Sequence, residues 1–329
     1  MFGKGQIFFK AIIIFCGLLL LCSSTSFAQE KIKIGIVVQN QIKPFMDAVD
    51  GIKKHLAEKG YGEDKVEFIF INSQDNTEKV IEAIAQFRSA NVKLIIPTGT
   101  ATTIEVLKNV HDIPVVFAVV AYEESIIEAG KKLGFGKNYT GALSSSSAER
   151  IIEVALKVNP NIKKVGMIYD PNVDNTVREK MNVEDGCRKY GIELVALPYN
   201  GASEVINTFQ KMVDMGVQCV NIPKDSVQQK LLNELKPIIY ANKLFSITTS
   251  ELGTVSSGGA VIGLSAVPAV IGRLAGEKVV QVLKGKRPSD MPMERPKKFA
   301  IWLNMIAAKA SGVNVPVSVV KLADKVITE

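Results

Sequence analysis

The chain has 329 residues, of which 47% are hydrophobic and 22% charged, and a formal net charge of +7. Its basic residues are spread along the chain without a basic run, which excludes the electrostatic footprint of a nucleic-acid-binding protein. We therefore expect no nucleic-acid partner.

The first 28 residues have the pattern of a secretory signal peptide. Two lysines precede an apolar run that ends at Cys22, and Ser26-Phe27-Ala28 supplies small residues at the two positions that a signal peptidase reads. The run is shorter than the roughly 20 residues that a membrane-spanning helix needs. The sequence thus predicts cleavage before Gln29 and a soluble mature protein, either periplasmic or otherwise extracytoplasmic. The alternative is a lipid anchor at Cys22, but lipoprotein signals place a small residue where this chain has Leu21.

From Lys31 onward, short β-branched runs alternate with segments of helical period, which is typical of repeated βαβ units and a parallel sheet. In the first half, the predicted strands are Ile32 to Val38, Val66 to Ile71, Leu94 to Pro97 and Val115 to Val120, and the helices are Phe45 to Lys59, Thr77 to Ser89 and Thr102 to Asn109. In the second half, the strands are Lys164 to Tyr169, Leu194 to Ala196, Cys219 to Ile222 and Phe245 to Thr248, and the helices are Ala148 to Val158, Asn175 to Tyr190, Ser203 to Met215 and Val227 to Ala241.

Two small-residue segments interrupt this alternation and are interpreted as crossings between two lobes: Gly141 to Ser147 and Ser256 to Gly259. The predicted fold class is α/β, with two doubly wound parallel-sheet lobes joined by multiple crossovers. Lobe I comprises residues 31–141 plus about 260–287, and lobe II comprises 142–259 plus about 288–329, after the signal peptide at 1–28. The tail after the second crossing adds a strand, a helix from Val267 to Leu283, a strand at Phe299 to Leu303 and two short helices.

Ligands of such sheets bind just beyond the carboxyl ends of the strands, so the candidate binding residues are sought there. In lobe I these are Gln39, Asn40, Thr98, Gly99, Thr100, Ala101, Thr102 and Tyr122. The Gly-Thr turn runs directly into a helix, and free N–H groups beside hydroxyls suit a carboxylate. An ordinary threonine helix cap explains the same residues equally well.

In lobe II the candidates are Tyr169, Asn172, Asn175, Thr176, Asp225 and Thr249. Asp225 can accept hydrogen bonds from a ligand ammonium, and the alternative is a solvated loop acid or a helix cap. Asn175 and Thr176 are equally explained as the start of a helix.

Catalytic motifs are absent from the strand ends: no Gly-x-Ser-x-Gly elbow, P-loop or Gly-x-Gly-x-x-Gly follows a strand. The two histidines, His55 and His111, lie away from those ends and are expected on the surface, which argues against a zinc site or a histidine-based triad. Cys187 and Cys219 survive signal cleavage, and they are interpreted as two buried thiols, with a disulfide as the alternative. We expect no enzymatic activity, no cofactor and no metal.

Several short motifs are spaced along the mature chain, and each occurs once. They are Ile34-Gly35-Ile36, Asp112-Ile113-Pro114-Val115-Val116-Phe117, Asn159-Pro160-Asn161-Ile162-Lys163-Lys164-Val165-Gly166, Ile222-Pro223-Lys224-Asp225-Ser226, Pro288-Ser289-Asp290, and Leu303-Asn304 with Ala308, Gly312 and Pro316. In these the chain resembles the ABC-type solute-binding proteins of the tryptophan/tyrosine-transporter type. The resemblance implies the type I periplasmic-binding-protein fold.

The resemblance also implies a ligand held between lobes by the Thr98 to Thr102 turn, the Tyr169 to Thr176 loop and Asp225. The chain departs from the family at Ala121-Tyr122-Glu123, where members often have Thr-Asp-Pro, and at Thr248-Thr249-Ser250-Glu251. These departures leave the ligand's side chain open.

The function expected from these features is capture of a small, amino-acid-like solute for an ABC transporter permease, by a protein that works as a monomer. A receptor that reports a ligand to a membrane sensor is the main alternative. An exported α/β enzyme is a weaker one, because the strand ends supply amide, hydroxyl and acid groups without a paired base or metal cluster.

Overall fold

The structure is a computed structural model that describes residues 30–146, 148–223, 225–249, 255 and 257–328. The predicted signal peptide, its cleavage site and Cys22 lie outside the described residues. Strands β1–β12 span Ile32–Val38, Val66–Asn72, Leu94–Thr98, Val115–Val120, Tyr139–Leu143, Lys164–Tyr169, Glu193–Pro198, Cys219–Ile222, Phe245–Thr248, Ile262–Ser265, Ala300–Asn304 and Lys325–Ile327. Helices α1–α12 span Lys43–Glu58, Thr77–Ser89, Thr100–Asn109, Glu123–Leu133, Ala148–Val158, Asp174–Lys189, Ala202–Asp214, Ser226–Lys230, Leu232–Ala241, Pro268–Leu283, Met305–Ala310 and Val317–Val320.

Lobe I is a five-stranded parallel sheet in the order β2-β1-β3-β4-β5 with helices on both faces. Alternate residues of β1 point to opposite faces, as the pleat requires. Ile34 and Ile36 pack with α1 and α10 on one face, whereas Val37 packs with α2 and α3 on the other. Both faces are therefore covered, and the central strands read as continuous apolar runs.

Lobe II is a seven-stranded sheet in the order β12-β11-β10-β9-β8-β6-β7, parallel except for the antiparallel pair β10–β11. Helices α5, α6, α11 and α12 cover one face, and α7 and α9 cover the other. The predicted fold class is confirmed: two sheets, each covered on both faces, are joined by repeated crossings.

The crossings lie elsewhere than predicted. Strand β10 pairs with β9 and β11, so the chain returns to lobe I after Ser265, and the predicted boundary near 260 is a few residues too early. The Ser256 to Gly259 segment is not a crossing, because it links two strands of lobe II. Strand β5 extends lobe I to Leu143, and the carbonyl of Glu294 accepts the Leu143 N–H at 2.7 Å, which keeps residues 288–294 on lobe I.

Several predicted elements are confirmed within one or two residues, while three were missed: α4, β5 and β12. The predicted helix Val227 to Ala241 divides at Leu231 into α8 and α9. The surface prediction is wrong for His55, which is 7% exposed between α1 and α10 and lies 2.8 Å from Glu277 through Nε2. His111 is exposed as predicted.

Within the described residues, no helix is long and apolar enough to cross a membrane. Cys187 on α6 and Cys219 on β8 are both buried free thiols, as the preferred interpretation predicted.

Candidate functional site

The carboxyl ends of β3 and β4 carry the lobe I part of the candidate site. Gly99 precedes α3 with φ 86°, a left-handed conformation that suits glycine, and no side chain among the described residues caps the helix. The Thr100 hydroxyl accepts the Ala121 N–H at 3.2 Å, which ties the two strand ends together. The first turn of α3 therefore presents backbone N–H groups to a negatively charged group.

Neighbouring polar side chains line this turn closely. A Cβ built on Gly99 would lie 2.3 Å from Oε1 of Gln39, so only glycine allows this approach. The side-chain amides of Gln39 and Asn40 both donate to the Asp75 carboxylate, at 2.9 and 3.0 Å. Thr98 is fully buried, and its hydroxyl has no hydrogen-bond partner within the described part of the chain. Ala101 is exposed and Thr102 is buried.

Tyr122 extends from the end of β4 toward lobe II. A β-bulge between Ala118 and Val120 shifts the register of β4 just before it, and the bulged Val119 has φ 58°. A β-branched residue rarely adopts that conformation, and bulges commonly redirect a side chain next to a functional site. Tyr122 is 9% exposed.

Tyr122 and Asn182 of helix α6 in lobe II line the same cavity between the lobes. Desolvation by burial, and then the negative charge of Glu179, raises the pKa of the Tyr122 phenol. Tyr122 is therefore a neutral hydrogen-bonding group at the junction of the lobes.

Glu179 is the central acid of the lobe II part and was not among the predicted residues. It lies on α6, is 1% exposed, and accepts hydrogen bonds from Nδ2 of Asn221 at 3.1 Å and from the Thr249 hydroxyl at 2.7 Å. Asn221 lies on β8 and Thr249 directly follows β9, so the carboxylate is held at the ends of two strands. Oδ1 of Asn221 is buried without a partner among the described residues.

A sequence signal for Glu179 did exist. The buried face of α6 consists of Thr176, Glu179, Val183, Gly186 and Cys187, which follow helical spacing. An acid on an otherwise uncharged buried helix face is costly unless it is hydrogen-bonded, and such residues concentrate at functional sites. Glu179 lies within a helix, so a rule that selects residues at strand ends does not select it.

Asp225 is a helix cap, which was the alternative interpretation, although it is buried and not solvated. Its carboxylate accepts the Val227 N–H at 2.9 Å at the start of α8 and the side-chain amide of Gln228 at 3.0 Å, and the Tyr199 hydroxyl donates to it as well. All three donors belong to lobe II, and Asp225 is 3% exposed.

The remaining lobe II candidates lie around the start of α6. The Thr176 hydroxyl donates to the carbonyl oxygen atoms of Asp170 and Val173, so it helps to start the helix, the alternative that the sequence left open. Oδ1 of Asn175 is buried without a partner in the described part of the chain. Tyr169 is half-buried and Asn172 is exposed.

A cavity of about 380 Å3 lies beside Tyr122 at the junction of the lobes. Lobe I contributes Tyr122 and Glu124, and lobe II contributes α6 residues that include Arg178 and Asn182. The first crossing adds Ser145 and Ser146, whose buried hydroxyls have no partner among the described residues. The wall between the lobes is therefore polar.

The family model described as ABC transporter substrate binding protein matches residues 33–327. The chain belongs to this family. It is a substrate-binding protein with the type I periplasmic-binding-protein fold, in a family whose members bind small ligands.

Curated relatives span most of the chain. A tyrosine-binding protein of Clostridioides difficile is 26% identical over 287 residues, covering 86% of this chain and 81% of the relative. An uncharacterized protein of Rickettsia prowazekii is 23% identical over 302 residues, covering 88% of this chain and 89% of the relative.

Solved structures show the same fold. A protein from Streptococcus pneumonia in complex with L-Trp has a TM-score of 0.77 at 24% identity, covering 91% of this chain and all of that one (100%). The ligand-free, open structure of a substrate binding protein with adhesive properties from Clostridium difficile has a TM-score of 0.74 at 22% identity, covering 90% of this chain and 99% of that one.

Proposed function

We propose that this protein is the extracytoplasmic receptor of an ABC importer and that it binds an amino-acid-like solute between its two lobes. The family supports the role of a transporter's binding protein. The relatives that bind tyrosine and tryptophan support a solute with an α-amino acid group. The role is binding and delivery to a permease, with no chemical conversion.

The observation that carries the proposal is that lobe I has a group that favours negative charge and lobe II has one that favours positive charge. The N-terminus of α3 favours negative charge by about 0.3 to 2 kcal/mol, depending on burial. Glu179 is a buried carboxylate in the other lobe, and a carboxylate forms charge-assisted hydrogen bonds with an ammonium. A solute with both groups satisfies both lobes at once only when they are closed.

Glu179, and not Asp225, is the carboxylate that we propose binds the solute's ammonium. The Asp225 carboxylate already accepts three hydrogen bonds from its own lobe. Glu179 is held at the strand ends, and its charge acts on Tyr122, a residue of lobe I. We therefore assign the ammonium to Glu179 and a structural role to Asp225.

The direct test is mass spectrometry of the small molecule that co-purifies with the protein and is released on denaturation. We expect a compound with a carboxylate and an amine. An uncharged sugar or polyol would contradict the proposed solute class while leaving the family unchanged.

The assignment of Glu179 is tested by calorimetric titration of the released solute into two matched variants. Glu179→Gln keeps the shape and removes the charge, so we expect at least a tenfold loss of affinity, equivalent to about 1.4 kcal/mol. Asp225→Asn should lower the free energy of unfolding more than it lowers affinity, because the new amide nitrogen replaces the oxygen that accepts from Tyr199 and Gln228. A larger loss of affinity in Asp225→Asn than in Glu179→Gln would assign the solute's ammonium to Asp225 instead.

Export is tested by the intact mass of secreted protein. The proposal expects a mature chain that begins at Gln29. A mass that corresponds to a diacylated Cys22 would place the protein on a membrane anchor instead.

A further inference from the structure

Two helices from different lobes face each other beside the candidate site. On α4 of lobe I, Ser125 and Glu128 are three residues apart, and on α6 of lobe II, Asp174 and Arg178 are four residues apart. These spacings place each pair on one face of its helix. These four residues, Ser125, Glu128, Asp174 and Arg178, form an interlobe latch.

Each helix of the latch binds the other through polar groups. The Arg178 guanidinium donates to Glu128 at 2.7 Å across the lobes and to Asp174 at 2.9 Å within α6. The same Asp174 oxygen accepts the Ser125 hydroxyl from lobe I. Arg178 thus holds its own helix partner in position while it bridges to the other lobe.

Burial makes Arg178 the decisive member. Its side chain is only 12% exposed, compared with 48% for Asp174 and 65% for Glu128. A guanidinium that fixes two carboxylates in a forked geometry contributes more than an isolated surface pair.

Apolar packing between the lobes is limited to partly buried side chains such as Phe299, which packs against one core cluster of each lobe. In the described residues, each of the four clusters of buried apolar side chains belongs to one lobe. The cavity beside Tyr122 also lies between the start of α4 at Glu124 and helix α6. The contact between these helices therefore depends on ion pairs and hydrogen bonds, which are broken at little cost and are screened by salt.

We propose that Arg178 is a positioning residue that holds the two lobes closed before solute arrives. Its side chain also lines the cavity between the lobes, and the role proposed for it is to raise the fraction of molecules whose lobes are already closed. Since apparent affinity scales with the binding-competent fraction, the latch changes affinity through that fraction. This proposal rests on the proposed binding of solute between the lobes.

The test measures closure without any solute, so it is independent of the solute's identity. Small-angle scattering is recorded on wild-type protein, Arg178→Met, Glu128→Gln and the double variant, each freed of co-purified molecules by unfolding and refolding. Arg188→Met is the matched control, because Arg188 lies on the same helix but pairs with Asp185 within α6. Thermal unfolding shows that each variant is folded.

We expect the closed fraction at low salt to fall roughly threefold to tenfold in Arg178→Met. The closed fraction should also be lower in Glu128→Gln, and in the double variant it should be no lower than in Arg178→Met. Salt should open the wild type and Arg188→Met but not Arg178→Met. Identical scattering from all five proteins, or equal opening of Arg188→Met, would overturn the latch. If Glu179→Gln loses solute binding while the Arg178 and Glu128 variants scatter like the wild type, the proposed function is supported and the latch is wrong.

Discussion

Single residues determine how closely helices α1 and α10 approach each other. A Cβ built on Gly272 would lie 2.1 Å from the carbonyl oxygen of Ala48, far inside contact distance. The backbone of α1 cannot give way without disturbing the face that covers β1. Glycine at this position is therefore a requirement of packing.

Gly272→Ala should lower the free energy of unfolding by about 1 to 3 kcal/mol through overpacking. Gly130→Ala is the matched control, since Gly130 is also in a helix but its added Cβ meets only the Phe135 ring, at 3.2 Å. Alanine gains up to about 1 kcal/mol of helix propensity at both sites. Chemical denaturation measures both; equal effects would mean that the α1–α10 contact is looser than described.

The two cysteines are also defined by burial. Desolvation, and then the negative charge of Glu184, raises the pKa of the Cys187 thiol to about 12, and burial raises the pKa of Cys219 well above its ordinary value. A thiol whose folded pKa is raised favours the folded state fully below its ordinary pKa of 9.0. That contribution is lost as pH rises through about 12.

We expect iodoacetamide at pH 8 to leave both thiols unmodified in the folded protein and to modify both after unfolding in urea, because only the thiolate reacts. Intact mass spectrometry counts the adducts. Rapid labelling of the folded protein, or a mass lower by two hydrogens, would show an accessible or a disulfide-bonded pair.

At the scale of elements, the predictable part of the chain was the part with strong periodicity. Strands β1 and β4 are β-branched and bounded by turn residues, so the structure has the predicted bounds. Helix α4 was missed because its apolar residues are few and its charges many. Strand β5 was read as part of a crossing because Gly141 is small, yet the glycine is needed since a Cβ there would lie 2.3 Å from the Phe117 ring.

Local sequence patterns also determine which residues of the candidate site could be predicted. The Thr98 to Thr102 turn could be found because it combines a strand end, a glycine and a helix start. Glu179 could not be assigned by that rule, since its contact with Asn221 and Thr249 depends on how α6 lies on the sheet. Local sequence patterns do not encode such a long-range contact directly.

The bulge in β4 gives a prediction at this scale. Val119 at φ 58° carries about 1 to 3 kcal/mol of backbone strain. Val119→Gly removes this strain but loses a half-buried side chain, so the free energy of unfolding should change by less than about 1 kcal/mol. Val116→Gly, in the same strand and fully buried, should cost at least about 2 kcal/mol. Urea denaturation compares them, and an equal loss would argue against a strained bulge.

At the scale of the molecule, the two lobes have separate cores and are joined by three crossings in the described part of the chain. These follow Leu143, Ser265 and Glu294. Because every buried apolar cluster of the described residues lies within one lobe, rotation about the crossings leaves both cores intact. The crossings after Leu143, Ser265 and Glu294 are therefore the segments about which a hinge motion would occur.

The last prediction is that solute compacts the molecule by closing the lobes. Neither lobe alone supplies both the α3 N-terminus and Glu179, so a solute that binds both favours the closed form in proportion to its extra contacts there. Small-angle scattering at saturating solute should therefore show a smaller radius of gyration than the solute-free protein under the same salt conditions. Glu179→Gln, at the wild type's saturating concentration, should compact less, because the solute then loses one of the two lobes. A profile unchanged by saturating solute in the wild type would mean that binding does not require closure.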